Sequence, residues 1–133
     1  FFRKITKEKI NKPKKIVIKG RDFIIQNFFE GLARFDFNDL CGASIGAEDY
    51  MKIAEHCNFI LIDNVPNFGD ENADKQQRFI TLIDILYEKK IPIMITANFN
   101  YKKFNSSRRL NDSYKRTISR LFELTSPKFK INK

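Results

Sequence analysis

Two polar residues follow short apolar runs in a way that could place them in one site. The run at residues 59–62 (FILI) leads to Asp63, and the run at residues 91–95 (IPIMI) leads to Asn98. In α/β nucleotide hydrolases an acid after one buried strand lies beside magnesium, and a polar residue after the neighbouring strand orients the attacking water. Asp63 is therefore a candidate Walker-B-like acid and Asn98 a candidate sensor. Because residues 64–66 (NVP) supply no glutamate base, Asp63 fits equally well as the cap of a turn.

Three arginines form a second candidate site, one that would contact phosphate. Arg116 and Arg120 are four residues apart and so share one face of a helix, and Arg78 lies on the flank of another predicted helix. An exposed guanidinium on such a face can act as an arginine finger or a phosphate sensor. A solvated helix face, with Arg120 paired to Glu123, explains the same spacing. The spacing alone leaves both interpretations open.

The sequence lacks the motifs of a self-sufficient active site. Its five glycines form neither a G-x-x-x-x-G-K-[ST] loop nor a G-x-G-x-x-G turn, so no backbone cradle for phosphates is predicted. The one histidine, His56, provides no catalytic triad. The two cysteines, Cys41 and Cys57, provide neither a disulfide framework nor a zinc site, and we interpret them as buried thiols. We therefore predict no metal site and no cofactor within these residues.

The elements that must position these residues indicate an α/β fold. We predict a short N-terminal β-hairpin region followed by parallel strands with crossover helices, because a helix between two buried strands implies that the strands are parallel. The predicted strands are residues 15–19 and 22–25, which form the hairpin, a third strand at 32–37 that joins them, and the two buried strands at 59–62 and 91–95. The predicted helices are residues 38–41, 48–56, 73–88 and 114–124.

Charge divides the chain into three blocks. The net charge of +9 is the sum of +8 over residues 1–21, −7 over residues 22–100 and +8 over residues 101–133. Basic ends suit nucleic acid phosphates, an anionic membrane or an acidic partner. The abundance of Lys, Asn, Ile and Phe, which an AT-rich coding sequence produces, explains the basicity equally well. The predicted divisions are a basic linker or frayed end at 1–13, an α/β region at 14–127 and a basic tail at 128–133.

Six segments together resemble the C-terminal part of the ZapE family, which comprises bacterial cell-division ATPases and mitochondrial relatives of the AAA type. The resemblance covers roughly residues 15–127. The segments are, in order, Gly20-Arg21, GLARFDFNDLCG at 31–42, IGAEDYMKIA at 45–54, IDNVP at 62–66, RFITLIDILYE at 78–88 and RTISRLFEL at 116–124.

The resemblance implies the C-terminal region of a P-loop ATPase. The phosphate-binding loop, the Walker B acids and the first sensor would precede Phe1, and that residue is itself not a methionine, so we expect a fragment that is inactive alone. ATP and magnesium would belong to the complete parent protein. Arg78, Arg116 and Arg120 are the arginines that match the family, and they would complete a site held by the N-terminal P-loop half.

The resemblance also implies partners and a location. Bacterial members associate with the division protein FtsZ and the inner membrane surface, whereas mitochondrial members act in protein quality control. Because no apolar run is long enough to span a bilayer and no signal peptide is evident, we expect a cytoplasmic protein, peripheral at the inner membrane in this interpretation. A homo-oligomer is compatible with the family.

Two alternatives of other classes stay open. The first is a non-catalytic basic module that binds nucleic acid or anionic membrane, because aromatic residues interleave with cations at residues 101–104 (YKKF) and 128–130 (KFK). The second is a docking domain for a filament protein such as FtsZ. The salt dependence of binding distinguishes the two alternatives, because contacts with phosphate weaken as the salt concentration rises and apolar contacts do not.

Overall fold

The computed structural model describes residues 9–42, 45–97 and 105–125, and it confirms the α/β fold. A two-stranded antiparallel hairpin precedes a four-stranded mixed sheet with helices. The strands are β1 (Lys14–Ile18), β2 (Arg21–Ile25), β3 (Asn27–Phe29), β4 (Leu32–Asp36), β5 (Phe59–Val65) and β6 (Ile93–Ala97). The helices are α1 (Phe37–Cys41), α2 (Ala47–Glu55), α3 (Ala73–Glu88) and α4 (Asn111–Leu124), with a 3₁₀ turn at Asp70–Asn72 before α3.

Two tight turns connect the antiparallel strands. Lys19 and Gly20 join β1 to β2 with φ angles of 51° and 76°, and Glu30 and Gly31 join β3 to β4 with φ angles of 54° and 96°. Two successive residues with positive φ are the signature of the turn whose twist matches that of the flanking strands. These dipeptides therefore fix the register of both hairpins.

The parallel part of the sheet follows from crossovers between buried strands. The strand order is β3-β4-β5-β6, in which β4, β5 and β6 run parallel and β3 runs antiparallel to β4. Alternate residues of the strands point to the helices and form the main core with them. A second, smaller cluster lies on the opposite face of the sheet, where Leu32, Phe59 and Leu61 are all buried.

Four aromatic rings hold the helices together at the centre of the core. Phe79 of α3 packs on Phe37 of α1 and on Phe68, with ring centroids 6.0 and 5.9 Å apart. Phe68 also meets Tyr114 of α4 edge-on at 5.5 Å. The rings thereby join three helices and the connection between β5 and α3, and offset or edge contacts of this kind are the favourable arrangements for aromatic pairs.

Several element boundaries differ from the sequence-based prediction. β6 begins at Ile93 instead of residue 91, because the amide of Ile91 closes the end of α3 by donating to the Leu86 carbonyl at 3.0 Å and Pro92 has no amide hydrogen. α4 begins at Asn111, one turn before the predicted Tyr114. The three-residue strand β3 was not predicted, because its length is too short to show a period.

Burial explains the state of both cysteines. Cys41 and Cys57 are buried free thiols, and burial raises the pKa of each to about 12, so both stay protonated at neutral pH.

His56 caps the end of α2, in agreement with a structural role. Over the described ranges, no helix is both long and apolar enough to cross a membrane.

Candidate functional site

Asp63 lies in a row of polar side chains that crosses the three parallel strands. Its Oδ2 accepts a hydrogen bond from Nε of Arg34 in β4 at 2.6 Å, and its Oδ1 accepts one from the hydroxyl of Thr96 in β6 at 3.1 Å. The Asp63 side chain is 19% exposed and that of Arg34 is 40% exposed. Both carboxylate oxygens of Asp63 are therefore engaged in contacts that tie β5 to its two neighbours.

The expectation that Asp63 would end its strand was wrong, because β5 continues to Val65. The strand passes Asp63 through an irregularity at Asn64, which has a φ of 63° and donates its amide hydrogen to the Thr96 hydroxyl at 2.9 Å. Asparagine tolerates this left-handed conformation better than most residues. The extra residue returns Val65 to the helix-facing core, so β5 stays paired with β6 after the acid.

Asp36 extends the polar row to the start of α1. Its Oδ2 accepts the amide hydrogen of Asn38 at 3.1 Å, which caps the helix, and its Oδ1 accepts the side-chain amide of Asn64 at 2.7 Å. Asp36 and Asp63 are also direct partners in the parallel register. Both acids therefore serve local backbone and strand contacts in this structure.

The charged groups around Asp63 do not favour phosphate by themselves. A pocket of about 440 Å³ opens beside it, and its charged lining consists of Asp36, Asp39, Asp63 and Arg34. Three carboxylates against one guanidinium repel phosphate. Within the described ranges no group of three metal-ligating side chains comes together. Asn98, the second member of the predicted pair, lies outside the described residues.

Replacing Asp63 by alanine should destabilise the fold by about 1–3 kcal/mol, because it removes the acceptor of two hydrogen bonds, one of them charged. Urea unfolding of the variant measures the change. Asp39→Ala is the matched control, since Asp39 is exposed and has no hydrogen-bond partner in the described part, and it should stay within about 0.5 kcal/mol. Equal stability of the two variants would contradict the bridging role.

Two of the three predicted arginines are used inside the fold. Arg120 of α4 pairs with Asp84 of α3 at 2.5 Å, and its guanidinium lies 4.9 Å from the centre of the Tyr87 ring. Arg78 donates to the carbonyls of Cys41 and Gly42, each at 3.2 Å, at the end of α1. Such contacts satisfy carbonyls that a helix end leaves open. Both arginines therefore join helices to each other.

Arg116 differs from these two, because it is exposed and has no ion-pair partner in the described part of the chain. The expected pair between Arg120 and Glu123 is replaced by the Arg120–Asp84 pair, while Glu123 accepts a hydrogen bond from the Tyr87 hydroxyl at 3.0 Å. Arg120 and Tyr87 thereby hold α4 against α3 while Arg116, one turn earlier, faces solvent. The fold separates the predicted pair into one structural and one available arginine.

Two further exposed cations lie near Arg116. Lys115 precedes it on α4, and Arg109 lies in the turn before the helix, and neither has an ion-pair partner among the residues that the structure describes. Arg108 beside them pairs with Asp70, with Nε and Oδ2 3.3 Å apart. Near the start of α4, Arg109, Lys115 and Arg116 are therefore exposed cations without an ion-pair partner in the described ranges, and Asp112 is the acid in the first turn of the helix.

Gln76 is a residue that sequence reasoning overlooked. It is fully buried, and it bonds to the segment before α4 through both ends of its amide. A signal was present in the sequence, because Gln76 stands three and four residues before Phe79 and Ile80 on the apolar face of α3. A polar residue at such a position needs partners from another segment.

Comparison with known proteins places the chain in a family. The family model of the AFG1-like ATPases matches residues 1–132. Lactation elevated protein 1 homolog B of Danio rerio is 30% identical over 89 residues, which are 67% of this chain and 18% of that protein. Cell division protein ZapE of Escherichia coli K12 is 25% identical over 93 residues, which are 70% of this chain and 25% of that protein.

The match thus spans about a fifth to a quarter of the length of these relatives. No solved structure matches the chain. The family match extends over nearly all of its residues, and a ZapE protein is among the relatives, as the resemblance predicted. This chain belongs to the AFG1-like ATPase family.

Proposed function

We propose that this chain is the arginine-bearing α/β region of an AFG1-like ATPase whose ATP and magnesium are bound by a separate P-loop segment. The given sequence has no phosphate-binding loop, and the only acid predicted to be Walker-B-like has both oxygens engaged. The chain's contribution in this proposal is a guanidinium directed at phosphate. It is therefore inactive alone and active as part of a complete ATPase.

The observation that carries the proposal is that Arg116 is exposed and forms no ion pair with any residue that the structure describes, on a helix that is otherwise anchored. The buried residues Tyr114, Thr117, Leu121 and Leu124 fix one face of α4 in the core. The packed helix fixes the backbone from which Arg116 projects, so only the rotamers of its side chain remain to be ordered when it binds. A guanidinium supplied to a phosphoryl-transfer site stabilises the charge of the transition state.

Titration with a fluorescent ATP analogue tests this division of roles. The chain alone should give no saturable binding, whereas an equimolar mixture with a separately produced P-loop segment of a close relative should bind the analogue. Saturable binding of the analogue by this chain alone, and its displacement by ATP, would overturn the proposal. A heat-unfolded sample of the chain controls for adsorption of the dye.

The exposed cations Arg109, Lys115 and Arg116 also support a second candidate, a basic module that contacts nucleic acid phosphates. In that case oligonucleotide binding would weaken steeply as salt rises, with a slope that reflects the number of phosphates contacted. Substituting Lys115 or Arg116 would then weaken binding about equally, because each contributes one charge. The ATPase proposal predicts a large effect for Arg116 alone.

A further inference from the structure

The segment before α4, residues 105–110, is hydrogen-bonded to the connection between β5 and α3, residues 66–72, and to α3 itself. Three of its backbone amides donate to side chains of that connection or of α3. The amide of Asn105 donates to Oδ1 of Asn67 at 2.8 Å, that of Ser107 to Oε1 of Gln76 at 3.0 Å, and that of Arg108 to Oδ1 of Asp70 at 2.9 Å. We refer to Asn67, Asp70 and Gln76 as the amide clamp.

Gln76 is the buried centre of the amide clamp. Its side chain is completely buried, whereas Asp70 is exposed and Asn67 is partly exposed. Besides accepting from the Ser107 amide, it donates from Nε2 to the hydroxyl of Ser106 at 2.7 Å. Burying an amide side chain is unfavourable unless its polar atoms are paired, so the segment must stay docked for Gln76 to stay satisfied.

Helix α4 has no side-chain cap at its N-terminus, so the amide clamp matters for how the helix begins. Its N-cap position is Leu110, and no side chain accepts a hydrogen bond there. Leucine is among the poorest N-cap residues. The amide clamp holds the preceding turn and therefore fixes the start of the helix together with the buried side chain of Tyr114, and Arg116 lies in the second turn of this helix.

We infer that Gln76 is a positioning residue for Arg116, which it places by fixing the start of α4 from the core of α3. The catalytic half of the inference, that this placement of Arg116 supports catalysis, rests on the proposed function. The structural half, that Gln76 fixes the start of α4, rests on the contacts alone. The link also connects the polar end of β5, through Asn67 and Asp70, to the helix that carries the exposed arginine.

Amide hydrogen exchange, followed by NMR on the chain alone, tests the structural half. Gln76→Met keeps the length of the side chain and removes both hydrogen bonds, so exchange at Ser107 and Arg108 should accelerate by roughly tenfold while amides in the middle of β5 keep their protection. Gln77→Met is the matched control, because Gln77 is the next residue and is exposed.

Unchanged exchange at Ser107 in Gln76→Met would overturn the inference, and so would acceleration spread evenly over the whole chain. If Gln76→Met does not fold, Asp70→Ala tests the amide clamp at its exposed member, with acceleration expected at Arg108. Either result is independent of whether the chain serves an ATPase.

The catalytic half is tested in the mixture with the P-loop segment. Gln76→Met should lower kcat about tenfold and leave unchanged the chain concentration that gives half-maximal activity, because Arg116 is still present but misplaced. Gln77→Met should change neither. If the wild-type mixture shows no chain-dependent activity, the proposed function fails while the exchange data still decide the role of the amide clamp. Accelerated exchange with an unchanged kcat would overturn the positioning role.

Discussion

Replacing Arg116 by alanine is expected to lower kcat for ATP hydrolysis by about a thousandfold in a mixture of this chain with a P-loop segment. The reason is that the guanidinium stabilises negative charge that develops on the transferred phosphoryl group, and no other residue of α4 offers an unpaired guanidinium. KM for ATP should change little, because the contact strengthens only in the transition state. Steady-state kinetics with a coupled assay measure both constants.

Lys115→Ala is the matched control for this prediction. Lys115 is adjacent to Arg116, is also exposed and carries the same charge, so its loss should change kcat less than about threefold. Arg116→Lys should recover little activity, because an ammonium cannot make the paired hydrogen bonds of a guanidinium. Equal effects of Lys115→Ala and Arg116→Ala would point to a general charge effect and contradict a specific role for Arg116.

Replacing Phe79 by alanine is expected to destabilise the fold by about 3–5 kcal/mol. Phe79 is fully buried and contacts both Phe37 and Phe68, so its removal leaves a cavity among three helices. For a protein whose total stability is on the order of 5–15 kcal/mol, this is a large fraction. Urea unfolding followed by circular dichroism measures the loss as a lower midpoint.

Met51→Ala provides the contrast for Phe79, because Met51 lies on the outer face of α2 and is 47% exposed. Its replacement should change the stability by less than about 0.5 kcal/mol. A loss below about 1 kcal/mol for Phe79→Ala would show that the aromatic cluster does not form the centre of the core.

Long apolar periods made much of this fold predictable from the sequence. α3 has the predicted bounds, 73–88, because its stripe of buried residues repeats over four turns and polar residues stand on the other faces. The hairpin and the parallel pairing of β5 with β6 also followed from local patterns. The expectation that the third strand would join the hairpin was wrong, because β4 pairs with β3 and β5. β3 was missed, since three residues carry no period and its pairing with β4 depends on the turn at Glu30 and Gly31.

The candidate site was less predictable, because its partners come from distant parts of the chain. The spacing of Arg116 and Arg120 placed both on one helix, but the pairing of Arg120 with Asp84, 36 residues away, depends on how α3 and α4 pack. The pairing of Asp63 with Arg34 likewise depends on the register of β4 and β5. Sequence patterns identified the candidate side chains, and tertiary contacts decided which of them stayed exposed for binding a ligand.

The most direct test of the proposed function measures ATP hydrolysis by a fixed amount of a P-loop segment as increasing amounts of this chain are added. We expect kcat to rise and saturate as the wild-type chain is added. With Arg116→Ala, kcat should stay at the level of the P-loop segment alone. Activity that is independent of the chain at every concentration would contradict the claim that this region completes an ATPase.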